Sequence, residues 1–248
     1  MKDWSKDVQP LLKKYKGKPH PLEYKNLYQL LVMVVLSAQD SDKNINNRAP
    51  ELFKVYPNME ALSNATEETL APFLRSIRSG RNKGNWLVRI AQAIRHDKNI
   101  PLTQEELTKL PGIGRKSANV IMREAKVKAE GVIVDLHVVR VAPRLGITKS
   151  GDPKKIEQDI MAVIPQKDWG EIGMAISFLG REICRPKDPL HSECPMNAVC
   201  DFYAQVKSGK VESPKKKATL KKIEAVKKTV VKKVAKKTVA KKPAKKKK

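Results

Sequence analysis

Apolar positions spaced three and four residues apart predict helices along most of residues 1–206. The spacing is clear in "ATEETLAPFLRSI" and "NKGNWLVRIAQAIRHD", where it places the apolar side chains on one face of a helix. The stretch "LYQLLVMVVLSAQ" (27–39) is apolar all round, which predicts a buried helix because it is too short to cross a bilayer. No series of alternating apolar and polar positions occurs, so the predicted fold class is all-α.

Capping residues mark several helix boundaries. Gly17 is expected to end a short amphipathic helix that begins near Asp3. Thr103 and Glu106 open "LTQEELTKL" with the S/T-x-x-E pattern, which satisfies the first free N–H groups of a helix. The stretch "GVIVDLHVVRVAPRLG" begins with β-like residues and becomes helical after Asp135, a favoured N-cap residue type.

Charge is distributed unevenly along the 248 residues. The formal net charge is +25. Residues 207–248 contain 19 lysines and two glutamates, a net charge of +17, which leaves +8 for residues 1–206. A positive excess of this size indicates a polyanionic partner, with nucleic acid ahead of an anionic membrane surface.

The lysine-rich segment 207–248 differs in composition from the rest of the chain. It repeats Lys-Lys pairs with Ala, Val, Thr and Pro between them and has no aromatic residue. Such a segment has too little apolar bulk to offset the entropy of ordering, so we predict a disordered tail. It serves either solubility or, as we favour, non-specific binding to DNA phosphates. It has no apolar face or lipidation motif that would favour a membrane.

The N-terminal stretch gives no sign of an export route. "MKDWSKDVQPLLKKYKGK" carries charges throughout and has no apolar signal core. Three cysteines that cannot all pair suit a reducing compartment. We therefore predict an intracellular monomer, in a bacterial cytoplasm or nucleoid or in a eukaryotic nucleus.

The stretch "LPGIGRKSANVIM" (110–122) predicts a hairpin between two helices. Gly112 and Gly114 would let backbone N–H groups approach an anion, and the second helix adds the partial positive charge of its N-terminus. An ordinary helix–helix turn is the alternative. Lys116 follows beside Arg115, and a neighbouring cation, a helix N-terminus and partial burial all lower the pKa of a lysine. Lys116 is thus either an amine nucleophile or a surface lysine that binds phosphate.

The loop "CRPKDPLHSECPMNAVC" holds all three cysteines of the chain and one of its four histidines. Three cysteines in a polar loop are not typical of core filling. The candidate metal ligands are Cys184, His191, Cys194 and Cys200. A structural zinc site of the Cys₃His type fits this set of residues, and a degenerate site that binds nothing is the alternative. In either case Arg185 and Lys187 are expected to project from the loop toward a DNA phosphate.

"LPGIGRKSANV" followed by "VDLH" (134–137) resembles the endonuclease III family of helix-hairpin-helix DNA glycosylases. "LSAQDSD" (36–42) and Lys83 in "NKGNW" agree with the same family, and the likeness extends from about residue 20 to Tyr203. The resemblance implies two helical lobes around a DNA cleft. Residues 21–129 would form the lobe with the hairpin. Residues 1–20 and 130–203 would form the lobe with the metal loop.

The resemblance also implies roles for individual residues. Lys116 would attack C1′ of a flipped nucleotide as its base leaves, and Asp135 would take the lysine's proton or stabilise the cationic sugar. A Schiff base and β-elimination would then nick the strand. Asp135 also reads as an N-cap, and both roles are compatible. Gln39 would fill the space that the flipped nucleotide leaves, with a helix C-cap as the alternative. His137 matches the motif but is more typical of a buried structural histidine.

Members of this family bind a 4Fe–4S cluster through Cys-x6-Cys-x2-Cys-x5-Cys. This chain keeps the spacing but has His191 in place of the second cysteine. Imidazole is an accepted iron–sulfur ligand and raises the reduction potential. The resemblance therefore favours a 4Fe–4S cluster over zinc or an empty site.

The predicted function is a bifunctional DNA glycosylase and AP lyase that acts on oxidised pyrimidines in damaged or abasic double-stranded DNA. A non-catalytic, nucleoid-associated or histone-like DNA binder is one alternative, because the tail alone would suffice for it. A monofunctional or mismatch glycosylase is another. The segment "RSGRN" (78–82) replaces a G-L-Y-N-S-like stretch of the family, and Gly80 stands where an aromatic residue is common. That departure leaves the preferred lesion open.

Overall fold

The computed structural model describes residues 2–215, which form helices joined by short loops and contain no β-strand. The all-α prediction is confirmed. The helices within these residues are α1 (Trp4–Asp7), α2 (Gln9–Tyr15), α3 (Leu27–Ser37), α4 (Asp42–Val55), α5 (Met59–Ser63), α6 (Glu67–Leu74), α7 (Gly80–Ile94), α8 (Gln104–Lys109), α9 (Arg115–Glu124), α10 (Leu136–Leu145), α11 (Pro153–Val163), α12 (Trp169–Glu182) and α13 (Asp201–Lys207), with 3₁₀ turns at Asp97–Asn99, Gln166–Asp168 and His191–Glu193.

The N-terminal helix predicted from its apolar spacing is two helices, α1 and α2. Pro10 lies in the first turn of α2 and has no backbone N–H to continue a preceding helix. Val8 is the residue between the two helices, the C-cap of α1 and the N-cap of α2. Gly17 follows α2 with φ of 70°, a left-handed conformation that favours glycine.

Helix α3 lies at the centre of the hydrophobic core. Its side chains from Leu30 to Leu36 are all buried, and it packs against α4, α7 and α9. The Asn26 side chain accepts the backbone N–H of Gln29 and so caps the N-terminus. A helix that is apolar all round is buried on every side, which confirms the prediction for this stretch. None of the helices in residues 2–215 is both long and apolar enough to cross a membrane.

Two glycines of α12 allow the chain that precedes α10, and α10 itself, to lie directly on this helix. A Cβ on Gly173 would stand 2.4 Å from the carbonyl oxygen of Ile133, and a Cβ on Gly180 would stand 2.9 Å from Cβ of His137. These distances are shorter than side-chain contacts allow, so both positions require glycine. The close packing fixes the position of Asp135, which stands between Ile133 and His137.

The N-terminal residues contact the C-terminal part of the described chain. Helix α2 packs against α12, with the rings of Tyr15 and Phe178 5.6 Å apart. Lys2 forms an ion pair of 2.6 Å with Asp201 of α13. These contacts agree with a lobe made of residues 1–20 and 130–203, and the division into lobes stays a prediction.

The structure describes the beginning of the predicted tail, residues 207–215. Two hydrogen bonds hold this segment to the cysteine loop. The Asp188 N–H donates to the Pro214 carbonyl at 2.6 Å, and His191 Nε2 lies 3.3 Å from Ser213 Oγ. The prediction of a disordered tail otherwise falls on residues 216–248, which lie outside the described residues.

Candidate active site

One cleft of about 1160 Å³ collects Gln39, Lys116 and Asp135, which the sequence analysis singled out. Its walls include the loop after α3 and the first turns of α4, α9 and α10. Sites for small ligands typically have volumes of about 300–1,000 Å³. The cleft is therefore large enough to receive a nucleotide, and its functional groups come from helix ends that are distant in sequence.

Lys116 stands in the first turn of α9, after the N-cap Gly114. It is open to the solvent of the cleft but surrounded by the cleft walls, and this partial desolvation is the main effect that lowers its pKa. The carboxylates of Asp135 and Asp42 act in the opposite direction, and the guanidinium of Arg181 lowers the pKa further. A lysine with a lowered pKa is deprotonated more of the time and is then an amine nucleophile.

Asp135 is held by three hydrogen bonds. Its Oδ1 accepts the backbone N–H groups of His137 and Val138, both at 2.9 Å, which confirms its predicted place as the N-cap of α10. Its Oδ2 accepts the hydroxyl of Ser177 on α12 at 2.6 Å. The cap thus orients the carboxylate rather than competing with a role in the cleft.

The prediction that Arg115 is the cation acting on Lys116 is wrong. Arg115 Nε donates to Glu157 Oε2 at 2.9 Å, and Glu157 is buried. The cation that lowers the pKa of Lys116 is Arg181, which comes from α12. Arg115 keeps part of its guanidinium exposed, so its predicted contact with DNA stays a prediction.

The predicted hairpin between α8 and α9 is present. Gly112 has φ of 77°, and a Cβ there would stand 2.4 Å from Trp86 Cε3, so both its backbone and its surroundings require glycine. Gly114 has an ordinary φ of −93°, and a Cβ there would meet no atom of residues 2–215 within 4 Å beyond its chain neighbours. The space in front of the α9 N-terminus is therefore open to an anion.

Gln39 has φ of 57° and is exposed in the loop after α3, where it lines the cleft. Lys83 and Asp40 hold this loop from two sides. The fully buried Lys83 Nζ donates to the Leu36 carbonyl at 2.7 Å, and burial lowers its pKa. Asp40 Oδ2 accepts the backbone N–H of Arg78 at 2.9 Å. The C-cap of α3 is Ala38 rather than Gln39, which leaves the Gln39 side chain available to the cleft.

The four predicted metal ligands, Cys184, His191, Cys194 and Cys200, line one cavity of about 20 Å³. Arg144 Nη1 donates to Cys184 Sγ at 3.4 Å, and Cys200 Sγ donates to the Arg144 carbonyl at 3.3 Å. Burial raises the pKa of Cys194 to about 11 and also raises that of Cys200. The four predicted residues therefore line the same narrow cavity.

A family model identifies the chain. The description "HhH-GPD superfamily base excision DNA repair protein" matches residues 32–166, more than half of the sequence. The chain belongs to the HhH-GPD superfamily. The matched residues include the Gln39 loop, the hairpin with Lys116 and the Asp135 cap.

Several relatives of this HhH-GPD protein are named endonuclease III. Endonuclease III of Synechocystis sp. is 38% identical over 192 residues, which cover 77% of this chain and 88% of that protein. Endonuclease III of Thermotoga maritima is 32% identical over 188 residues, which cover 75% and 88%. A solved endonuclease III–DNA covalent intermediate has a TM-score of 0.72 at 30% identity and covers 81% of this chain and 95% of that one.

These matches confirm two predictions made for this HhH-GPD protein. The first is the resemblance to endonuclease III, based on "LPGIGRKSANV" and "VDLH". The second is the function class, a DNA glycosylase and AP lyase of base excision repair. The histone-like alternative is not favoured.

The cysteine loop of this HhH-GPD protein departs from a complete ligand set. His191 Nε2 faces Ser213, and the ring of His191 stacks on Tyr203 at 5.0 Å between centroids. Within residues 2–215, no three His, Cys, Asp or Glu side chains are placed together as ligands of a metal ion. Three thiols and an imidazole suit zinc or an iron–sulfur cluster by chemistry, but the described residues do not place three of these side chains together as ligands.

The two basic residues of the loop behave differently. Arg185 is half-buried, and its Nε and Nη2 donate to the Asp188 carbonyl at 3.2 and 2.7 Å. It therefore does not project freely, contrary to expectation. Lys187 is exposed, and its contact with a DNA phosphate stays a prediction.

Sequence reasoning missed three side chains of the cleft. Arg181 and Asp42 form an ion pair of 2.9 Å between α12 and α4. Leu136, the first residue of α10, is 70% exposed and lines the cleft. Asp42 could have been predicted as a residue of the cleft, because it ends the "LSAQDSD" motif. Leu136 stands inside "VDLH", whereas Arg181 gave no signal, since it stands among helical residues of ordinary type.

Proposed function

We propose that this protein excises oxidised pyrimidines from double-stranded DNA and nicks the resulting abasic site, with Lys116 as the nucleophile and Asp135 as its partner. The observation that carries the proposal is the meeting of Lys116 and Asp135 in one cleft, each at the N-terminal end of a helix. A protein that only binds DNA has no need of a lysine with a lowered pKa beside a fixed carboxylate.

The reaction begins with extrusion of the damaged nucleotide. C1′ of its sugar is hidden in the duplex, so the nucleotide has to leave the stack and enter the cleft. Gln39 would occupy the space left behind, because its amide both donates and accepts hydrogen bonds to the unpaired base. The hydrogen bonds that Lys83 and Asp40 make at this loop would hold Gln39 in place.

Lys116 then attacks C1′. The Nζ–C1′ bond forms as the bond from C1′ to the base breaks, and the base leaves with the bonding electron pair. Asp135 accepts the proton that the amine loses, or balances the charge on the sugar. The sugar ring opens to a Schiff base, and loss of a C2′ proton with departure of the 3′ phosphate nicks the strand. Water finally releases the lysine.

Several backbone and side-chain groups would hold the DNA. The hairpin and the N-terminus of α9 would bind a phosphate, because a Cβ on Gly114 would meet no atom of residues 2–215 within 4 Å beyond its chain neighbours, which leaves space for an anion there. Arg115 and Lys187 would add charge at two further points, and residues 216–248 would follow the phosphates without reading bases. The chain acts as a monomer inside the cell in this proposal.

The cysteine loop would hold a 4Fe–4S cluster, with zinc as the alternative, through Cys184, His191, Cys194 and Cys200. The family spacing and the shared cavity support this set. When bound, the metal centre would cross-link the loop and stabilise it. Because burial raises the thiol pKa values, binding would release protons from the cysteines. His191 would have to give up its contact with Ser213 in order to bind the metal.

Borohydride trapping tests the proposal directly. A duplex with one thymine glycol or one abasic site is incubated with the protein and borohydride, which reduces only a Schiff base. We expect a covalent complex, with the DNA attached to the peptide that contains Lys116. An undamaged duplex is the control and should give none. Excision without any trapped complex would instead indicate a monofunctional glycosylase.

A further inference from the structure

Arg181 of α12 contacts both walls of the cleft. Its Nη1 lies 2.9 Å from Asp42 Oδ2 on α4, and its Nη2 lies 4.0 Å from Asp135 Oδ2 at the start of α10. Its Nε lies 3.5 Å from Ser177 Oγ, which also binds Asp135. One guanidinium therefore connects two carboxylates that come from different helices.

Both carboxylates that Arg181 contacts act on Lys116. Asp135 at the N-terminus of α10 and Asp42 on α4 line the same cleft as Lys116, and both raise its pKa. Arg181 on α12 lines this cleft as well and lowers that pKa. Arg115 on the same helix as Lys116 is turned to Glu157 instead.

His20 and His137 are two further titratable groups of this part of the molecule. The cleft is also lined by charged residues that are not among the main electrostatic effects on Lys116: Glu23, Asp40, Lys43 and Arg78. His20 precedes α3 and is electrostatically coupled to Lys116, but burial lowers its pKa to about 4, so it is neutral at pH 7. His137 follows Asp135 on α10, and burial lowers its pKa as well. After desolvation by burial, which is the largest effect, the charges that act on the pKa of Lys116 are those of Asp135, Asp42 and Arg181.

The sum of these charges shows what Arg181 contributes. With Arg181 present, one amine faces two carboxylates and one guanidinium. Without it, the same amine would face two carboxylates alone, and an ammonium between two anions is favoured strongly. An ammonium has no free electron pair and cannot attack C1′.

We propose that Arg181 is a positioning residue of the lyase reaction: it holds Asp42 and Asp135 across the cleft and, by balancing their charge, leaves Lys116 free to react as an amine. The inference rests on the proposed function, because it concerns the same nucleophile. A purely structural alternative exists, in which the ion pair only joins α12 to α4.

Two substitutions at the same ion pair separate these accounts. Arg181→Met and Asp42→Asn both remove the salt bridge, so a purely structural link would be lost in either variant with similar results. The two substitutions change the net charge around Lys116 in opposite directions. Loss of Arg181 raises the pKa of Lys116, because a cation is gone. Loss of the Asp42 charge lowers that pKa, because an anion is gone.

The experiment measures single-turnover nicking of a duplex with a prepared abasic site, at saturating protein, across a range of pH. The nicking rate should rise with pH as Lys116 loses its proton, so the midpoint of that rise follows the pKa of Lys116. We expect its midpoint to move up by about one pH unit in Arg181→Met and down by a similar amount in Asp42→Asn. Arg181→Lys should keep the midpoint of the natural chain, since the charge is kept.

Arg89→Met is the matched control. It removes an exposed arginine of α7 that does not line the cleft, and its midpoint should not move. Shifts in the same direction for Arg181→Met and Asp42→Asn, or no shift in either, would overturn the inference. Circular dichroism checks folding. If Arg181→Met does not fold, the other two variants test the inference, which then requires a lower midpoint in Asp42→Asn and an unchanged midpoint in Arg181→Lys. Failure of the natural chain to trap DNA would count against the proposed function instead.

Discussion

The cleft and the cysteine loop differ in how their side chains are held. In the cleft, Asp135 accepts three hydrogen bonds, and Arg181 bridges it to Asp42. All of these contacts are made between residues of the protein and need no bound ion. In the loop, the half-buried Cys194 and the buried Cys200 have thiols with raised pKa values, and His191 faces Ser213.

The difference follows from the chemistry of the two sites. A nucleophile and its partner carboxylate are positioned by helix ends and ion pairs, which form as the chain folds. Metal ligands have to lose protons and converge on an ion, and that geometry is stabilised only by the ion itself. A sequence motif therefore predicts the arrangement of the cleft more fully than that of the loop.

The largest effect is expected from Lys116→Gln. Glutamine has no nucleophilic amine, so nicking of an abasic duplex should fall by at least about a thousandfold, and trapping should disappear. Binding to the same duplex, measured by fluorescence anisotropy, should change by less than about threefold, because most phosphate contacts come from other groups. Lys154→Gln, at an exposed lysine of α11, is the control and should leave both measurements unchanged. Nicking at the normal rate in Lys116→Gln would mean that another residue is the nucleophile.

Asp135→Asn should slow single-turnover nicking by about a hundredfold, within the usual range for loss of a group that transfers a proton. The stability of the fold should change little, because asparagine is nearly as good an N-cap as aspartate. Urea unfolding measures this directly. Asp135→Ala should lose the cap as well and cost about 1 kcal/mol more. Equal rates for Asp135→Asn and the natural chain would leave only the capping role.

In the cysteine loop, Cys194→Ser should remove most bound metal, since one of three thiolates is lost. The measurement is iron, zinc and sulfide per chain after anaerobic purification, and Lys116→Gln should keep the natural content. His191→Cys would complete a four-cysteine set. It should raise the iron content and lower the reduction potential, because imidazole ligation raises it. An unchanged metal content in Cys194→Ser would contradict the proposed ligand set.

The smallest effect is expected from deletion of residues 216–248, which keeps the contacts of Ser213 and Pro214 with the loop. Affinity for undamaged duplex should depend less steeply on salt, by about 0.9 in log–log slope for each phosphate no longer neutralised. The single-turnover rate at saturating protein should stay the same, because Lys116 and Asp135 remain. Identical salt slopes with and without these residues would show that they do not bind DNA.

Much of the fold was predictable, and the reasons are local. The apolar run of α3, the glycine of the hairpin and the Asp135 cap are each decided by a few neighbouring residues. The break between α1 and α2 was missed, although Pro10 gave a local signal for it. The roles of Gly173 and Gly180 had no such signal, because they depend on contacts with residues about forty positions away.

The sequence by itself determined the helical class and the hairpin and singled out Lys116 and Asp135 as the candidate reactive pair, because short motifs and capping rules act over a few residues. Only the tertiary structure decided which charges surround Lys116. Arg115, its neighbour in sequence, turns to the buried Glu157, while Arg181 reaches the cleft from α12. Electrostatic effects depend on distance in space, and helix packing brings together charges that are far apart along the chain.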